Sequence, residues 1–302
     1  MSTQGPSNVA AQLMKSHGNL KNSDFYLGGP KVMEKVTWAC EGWADCLVDS
    51  ASEVATLTTI VRIDGNDFWM VSDGAYNWPS TVWKELADVK LSCAVCAPDL
   101  QPVKVDYDQV VANLHELQRQ VVTPGYQMGK SFFLASKGDM ERFKIRHVLF
   151  EVSALSHSHC LVGTVLNSAS QPLGDAEEPS AVSDEFAIAN WPLTHKETRP
   201  ELMALAATHR IIPLPAYNVK GDLIRPEAYW HSLEDAIVEL HFGLTHWGIA
   251  GKKGSPATDV FIAEVDIIWV LVLPRTLSMA RKRVVYMHLD PNAPVSKKVR
   301  VG

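Results

Sequence analysis

An aromatic ring beside mobile cations can hold an unpaired nucleobase, because the base stacks on the ring while its phosphates meet the amines. Trp247 offers such a ring, in a segment that alternates with a period of two. Val238, Leu240, Phe242 and Leu244 fall on one face, and Glu239, His241, Thr245 and Trp247 fall on the other, as a half-buried strand requires. The chain then passes through Gly251-Lys252-Lys253-Gly254-Ser255-Pro256-Ala257-Thr258-Asp259 and returns as a second strand ending near Leu273. That connection is too long for a two-residue turn and carries two adjacent positive charges. His241, Thr245, Trp247, Lys252 and Lys253 are therefore the residues assigned to a contact with single-stranded DNA or RNA. The competing explanation is a second layer of structure, with Trp247 packed beneath it.

Three other groupings have reactive side chains. His157-Ser158-His159-Cys160 places two imidazoles on one side of an extended segment with a thiol beside them, a pattern for a metal ligand set or a nucleophile with its base. It equally describes a Ser/His-rich turn before the strand Leu161 to Leu166. Glu264 and Asp266, on the return strand, can act as paired carboxylates or stand as two solvated acids. Cys93 and Cys96, with Cys40 and Cys46, have knuckle-like numbers for zinc, but residues three apart in a strand point to opposite faces, which favours buried thiols. These groups define an alternative reading: a metal-dependent enzyme or small-molecule binder using His157, His159, Cys160, Glu264 and Asp266. HExxH, GxSxG, Walker and helix-opening GxGxxG patterns are absent, so no cofactor and no metal is assigned.

The bulk numbers bound the class. A chain of 302 residues, 46% hydrophobic and 21% charged, has an ordinary globular composition for one large domain or two smaller ones. The longest apolar run, Ile267 to Pro274, is far short of the ~20 residues that span a bilayer, and five cysteines form an odd set that fits reduced thiols. The expectation is an intracellular protein without a membrane partner. The net charge of −6 conceals an asymmetry: from Pro274 to Gly302 seven bases stand against Asp290 alone. Arg281-Lys282-Arg283 and Lys297-Lys298-Val299-Arg300 are suited to nuclear import or to polyanion attraction, and a solvated tail is the plain alternative.

The elements that must position these residues are mainly strands. Residues 1–35 form a polar lead-in with at most a short helix over Val9 to Ser16. A first β unit covers 36–166, with strands at Leu57 to Ile63 and Asp67 to Ser72 joined by a turn at Asp64-Gly65-Asn66, and another at Val89 to Val95. Val110, Leu114, Leu117 and Val121 place a helix over 106–122, stopped by Pro124-Gly125. Residues 167–200, rich in Ser, Pro and acids, read as an irregular connection. A second β unit covers 201–274, followed by the basic tail 275–302. On the return strand, Phe261, Ala263, Val265, Ile267, Trp269 and Leu271 make one apolar face, opposite Ile262, Glu264, Asp266, Ile268 and Val270. The second half is apolar on both sides, as in the centre of a sandwich or barrel. The fold class is α+β, mainly β, with one or two small barrel- or sandwich-like antiparallel units. Exposed β edges would also allow self-assembly into a homo-oligomer or structural protein.

Ile212-Pro213-Leu214-Pro215-Ala216-Tyr217, then Gly221-Asp222-Leu223-Ile224-Arg225-Pro226, Tyr229, Leu233 and the strand ending His246-Trp247 resemble a pattern in uncharacterised proteins of mushroom-forming fungi. The resemblance covers the last quarter to third of the chain and implies a fungal, intracellular setting without transferring an activity. The strand, basic loop, strand arrangement also looks like the opening of an OB-type barrel.

Overall fold

Val238, Leu240, Phe242 and Leu244 leave water only if a wall of other residues closes over them. In the computed structural model, which describes residues 6–42, 44–80, 83–137, 140–153, 186–252 and 254–274, a curled sheet supplies that wall. Its strands are β1 (Thr37–Glu41), β2 (Ala44–Val48), β3 (Leu57–Phe68), β4 (Lys90–Cys96), β5 (Gln127–Lys130), β6 (Phe133–Lys137), β7 (Met140–Val148), β10 (Ala216–Tyr217), β11 (Ile237–Ile249) and β12 (Thr258–Val272). A separate pair joins β8 (Phe150–Val152) to β9 (His209–Ile211). The helices are α1 (Pro6–Lys21), α2 (Val32–Lys35), α3 (Val103–Gln120), α4 (Arg199–Leu205) and α5 (Tyr229–Leu233). None of the described helices is long and apolar enough to cross a membrane.

The pairing closes on itself. β3 pairs with β4 and β4 with β7, both antiparallel. β7 meets β12 in parallel at Arg146 and Glu264. β12 pairs antiparallel with β11, and β11 returns antiparallel to β3. The result is a five-stranded barrel whose members come from both halves of the chain. β1 and β2 extend it beyond β11, β10 and β5 add to β12, and β6 adds to β7. Phe143, Ile145, Val95, Cys93, Phe242, Leu240, Phe261 and Ala263 fill the interior and are all buried, and α3 adds Val110, Leu114 and Leu117 to the same core.

Four local features depart from the reading of the sequence, each for a tertiary reason. The return strand does not keep one phase. His241 pairs with Ile267 while Phe242 pairs with Val265, so Asp266 is an extra residue on β12. This bulge moves the inward set from Phe261, Ala263 and Val265 to Ile268 and Val270, and leaves Ile267 and Trp269 half-buried on the outer side. Asp64-Gly65-Asn66 is not a hairpin turn. β3 runs through it, because the Asp64 carboxylate accepts from the Asn66 backbone and side chain and pairs with Arg142 at 2.7 Å, absorbing the irregularity within the β3–β4 ladder.

The N-terminal segment is likewise more than a lead-in. α1 buries Leu13, Ser16, His17 and Leu20, the i, i+3, i+4, i+7 stripe of a packed helix. Ser16 bonds Glu239, and His17 Nε2 lies 2.7 Å from Asp106 Oδ2. The acidic connection begins outside the described residues, but from residue 186 it is anchored: Trp191 is fully buried and donates its indole N–H to the Ser72 carbonyl.

Candidate nucleic-acid interface

The outward face of β11 carries Glu239, His241, Gly243, Thr245 and Trp247, all half-buried. Their cross-strand partners on β12 are Trp269, Ile267, Glu264, Ile262 and Val260. The middle of the wall is open, since a side chain at Gly243 would meet no atom within 4 Å. Trp247 is partly accessible, and its indole N–H is turned inward without a partner among the described residues, so what remains accessible is apolar ring.

Beyond Trp247 the hairpin tip is tightly built. The Ser255 N–H donates to the Lys252 carbonyl at 2.8 Å, and Gly254 takes φ +88°, a value glycine adopts without steric cost. Any Cβ at Gly251 would sit 2.8 Å from the Ser255 oxygen and the Ala257 nitrogen, so that glycine is required. The loop thus folds into a compact tip that exposes Lys252. Lys253 lies outside the described residues.

His241 is less free than its place in the alternation implied. Its Nε2 lies 2.8 Å from Glu239 Oε1. Burial pushes the Glu239 carboxyl up, but the hydrogen bonds from His241 and Ser16 outweigh that and hold it below the usual range. Thr245 faces Ile262 and Cys46 across the two neighbouring strands.

The wall continues past β12 onto a cationic stripe that the sequence reading missed. Arg142, Lys144 and Arg146 alternate along β7 with the buried Phe143 and Ile145, so all three point outward. Arg142 is locked in its buried pair with Asp64. Lys144 stands 3.7 Å from Asp67 and Arg146 stands 3.4 Å from Glu264, both pairs partly exposed. Arg146 Nε has no partner among the described residues. The signal that could have found them is the Arg-x-Lys-x-Arg spacing in a strand. Next to Ser92, which pairs with Arg146, the Trp69 N–H donates to the Ser92 carbonyl. Trp69 is 45% exposed and Trp78, in the same connection between β3 and β4, is 63% exposed.

Of the residues of the enzyme reading, Glu264 and Asp266 lie among the described residues. Glu264 is engaged with Arg146. Asp266 sits at the bulge, where burial pushes its carboxyl up against the Thr56 hydrogen bond, with Glu264 adding to the rise. His157, His159 and Cys160 lie outside the described residues, as do Arg281, Lys282 and Arg283. Cys93 points into the barrel and Cys96 outward to the Arg62 carbonyl; burial pushes the Cys96 thiol up to about 11, which describes an inert packed thiol. No group of three metal-ligating side chains occurs among the described residues.

Among solved structures, the chain is similar to the single-stranded DNA-binding protein from bacteriophage Enc34, at 9% identity and a TM-score of 0.36, with 82% of this chain and 95% of that chain covered. It is similar to the same phage protein in complex with ssDNA, at 9% identity and a TM-score of 0.33, covering 78% and 95%. It is also similar to gp2.5, a single-stranded DNA binding protein encoded by bacteriophage T7, at 9% identity and a TM-score of 0.32, covering 72% and 92%. No protein-family model and no curated protein matches the chain. At that depth the likenesses decide nothing about the site.

Proposed function

We propose that this chain binds single-stranded nucleic acid across the outer wall of its barrel, as an OB-type module does with its hairpin loops and outer strands. One observation carries the reading: Gly243, Glu264 and Arg146 are lateral neighbours on β11, β12 and β7, with Trp247 and Lys144 further along the same outward faces, the exposed Trp69 tied to Ser92 beside Arg146, and open space at Gly243. Bases stack on the two indoles. Phosphates meet Lys252 at the tip, joined by Lys253 next to it in sequence, and Lys144 and Arg146 in the middle. The partly exposed pairs to Asp67 and Glu264 are worth little in water, so a phosphate oxygen can replace either acid as partner.

Rings and amines arranged in this way read no base edge, so binding tolerates any sequence. The segment Arg281-Lys282-Arg283 adds sequence-independent attraction and serves nuclear import. The test is fluorescence anisotropy of labelled oligothymidine at low salt. Binding that weakens steeply with salt, and weakens about tenfold in Trp247→Ala, is expected. Absence of binding by the full chain, or unchanged affinity in that variant, overturns the reading.

A further inference from the structure

A second feature beside the hairpin tip has the shape of a base pocket. A groove of about 500 Å³ runs between α3 and β5, lined by Ala112, His115, Gln118, Arg119, Val122 and Met128, within the range of small-ligand sites. The four α3 positions 112, 115, 118 and 119 recur at helical spacing, so they form one face of that helix.

His115 is the floor. Its ring lies on Phe133 at a centroid distance of 4.0 Å and an interplanar angle of 15°, and Nε2 is held 2.7 Å from Glu141 Oε1. One ring face is therefore occupied by Phe133. The side chain is nonetheless 43% exposed, so the other face is presented to the groove. Ala112, Val122 and Met128 give apolar flanks. Gln118, itself buried, donates its amide N–H to Ser131 Oγ. Among the described residues Arg119 pairs with Glu116 one turn away on the surface, a contact of small energy that a phosphate can displace.

The groove lies beside the strand that follows the lysine loop, on the opposite face from Trp247. Met128 pairs with Asp259 on β12, and the Gln127 N–H donates to the Ala257 carbonyl at 3.0 Å, so β5 lies one strand spacing, about 5 Å, from the end of the lysine loop. We infer that a nucleotide flanking those on the outer wall turns over the hairpin tip, places its base on the free face of His115, and sets its phosphate against Arg119. The inference rests on the nucleic-acid reading and adds to it a second binding segment with a base-stacking pocket.

The test uses the full chain with short and long oligothymidines, the short ones just covering the wall. Met128→Glu and Val122→Glu, at positions 55% and 46% exposed, put a carboxylate in the groove without disturbing the core. Expected is about a tenfold loss for long strands and no change for short ones, with unchanged thermal melting. His115→Ala should match that loss while His115→Phe, which keeps a stacking ring, restores affinity. Equal affinity of these variants and the parent chain for long strands overturns the groove and leaves the wall standing. Equal losses at both lengths overturn it as well. If the parent chain binds neither length, the underlying nucleic-acid reading falls first and the groove with it.

Discussion

His246 Nε2 lies 3.0 Å from Asp259 Oδ1, with both side chains almost completely sealed from solvent. The other ring nitrogen, Nδ1, lies 2.8 Å from Asp45 Oδ2, and the Thr123 N–H donates to the second Asp259 oxygen at 3.1 Å. Burial pushes the Asp259 carboxyl up, but the bonds from Thr123 and His246 outweigh it and hold it below the usual range. One imidazole thus ties β2, β11, β12 and the segment after α3 together just inside the hairpin tip. Removing one member of a buried, hydrogen-bonded pair strands the other, at a cost of about 3–5 kcal/mol. Asp259→Asn is expected to lower the unfolding free energy from urea titration by roughly that much, with the slope unchanged; a loss under ~0.5 kcal/mol contradicts the tie.

Gly243 separates the stability of the wall from its binding. Since nothing lies within 4 Å of a Cβ there, Gly243→Glu should leave thermal melting unchanged. It should also add a negative charge beside Glu264 and lower oligothymidine affinity at least tenfold, measured by anisotropy. Gly243→Ser, small and uncharged, should bind nearly as the parent does.

Lys144 and Arg146 are expected to act through charge. Lys144→Ala and Arg146→Ala should each weaken binding about equally for every base composition. Each should also reduce the slope of log affinity against log salt by about 0.7, the single-strand value per phosphate neutralised. Trp69→Ala should lose affinity by about 1–3 kcal/mol without changing that slope.

The Asp64–Arg142 pair sets an acid limb of stability. Burial pushes the Asp64 carboxyl up, but hydrogen bonds from Asn66 and Arg142 outweigh it, so its folded pKa lies below the ordinary value. A depressed carboxylate contributes its full stability above the unfolded pKa, about 4, and loses it as pH falls through the folded value. The stability of the parent chain to urea should therefore fall as the pH drops below about 4. Asp64→Asn should be less stable by about 3 kcal/mol at neutral pH, with a flatter acid limb. A variant with the same acid limb as the parent would show that another carboxylate sets it.

Much of the fold was legible where a local period met a local partner. The alternation Val238 to Leu244 placed β11, and Val110, Leu114 and Leu117 placed α3. Of α1 only a short helix over Val9 to Ser16 was legible, because its buried stripe includes Ser16 and His17, polar residues whose partners Glu239 and Asp106 lie far along the chain. The phase change in β12 was hidden because Ile267, Ile268, Trp269 and Val270 are apolar on both faces, so only the pairing with β11 reveals the bulge at Asp266. For the candidate site, Trp247 and Lys252 were visible in one hairpin. The cations of β7 escaped notice because their outward direction depends on Phe143 and Ile145 being inside the barrel.

By itself the order of residues determined a mainly β chain, a hairpin with lysines at its turn, and thiols suited to burial, because each depends on side-chain type at short spacing. The tertiary structure alone decided that strands from both halves close one barrel. It also set Arg146 beside Glu264 and Trp69 beside Ser92, and left the wall open at Gly243. Those relationships join residues up to about two hundred positions apart, and the free energy of burying a shared core, not any local preference, selects them.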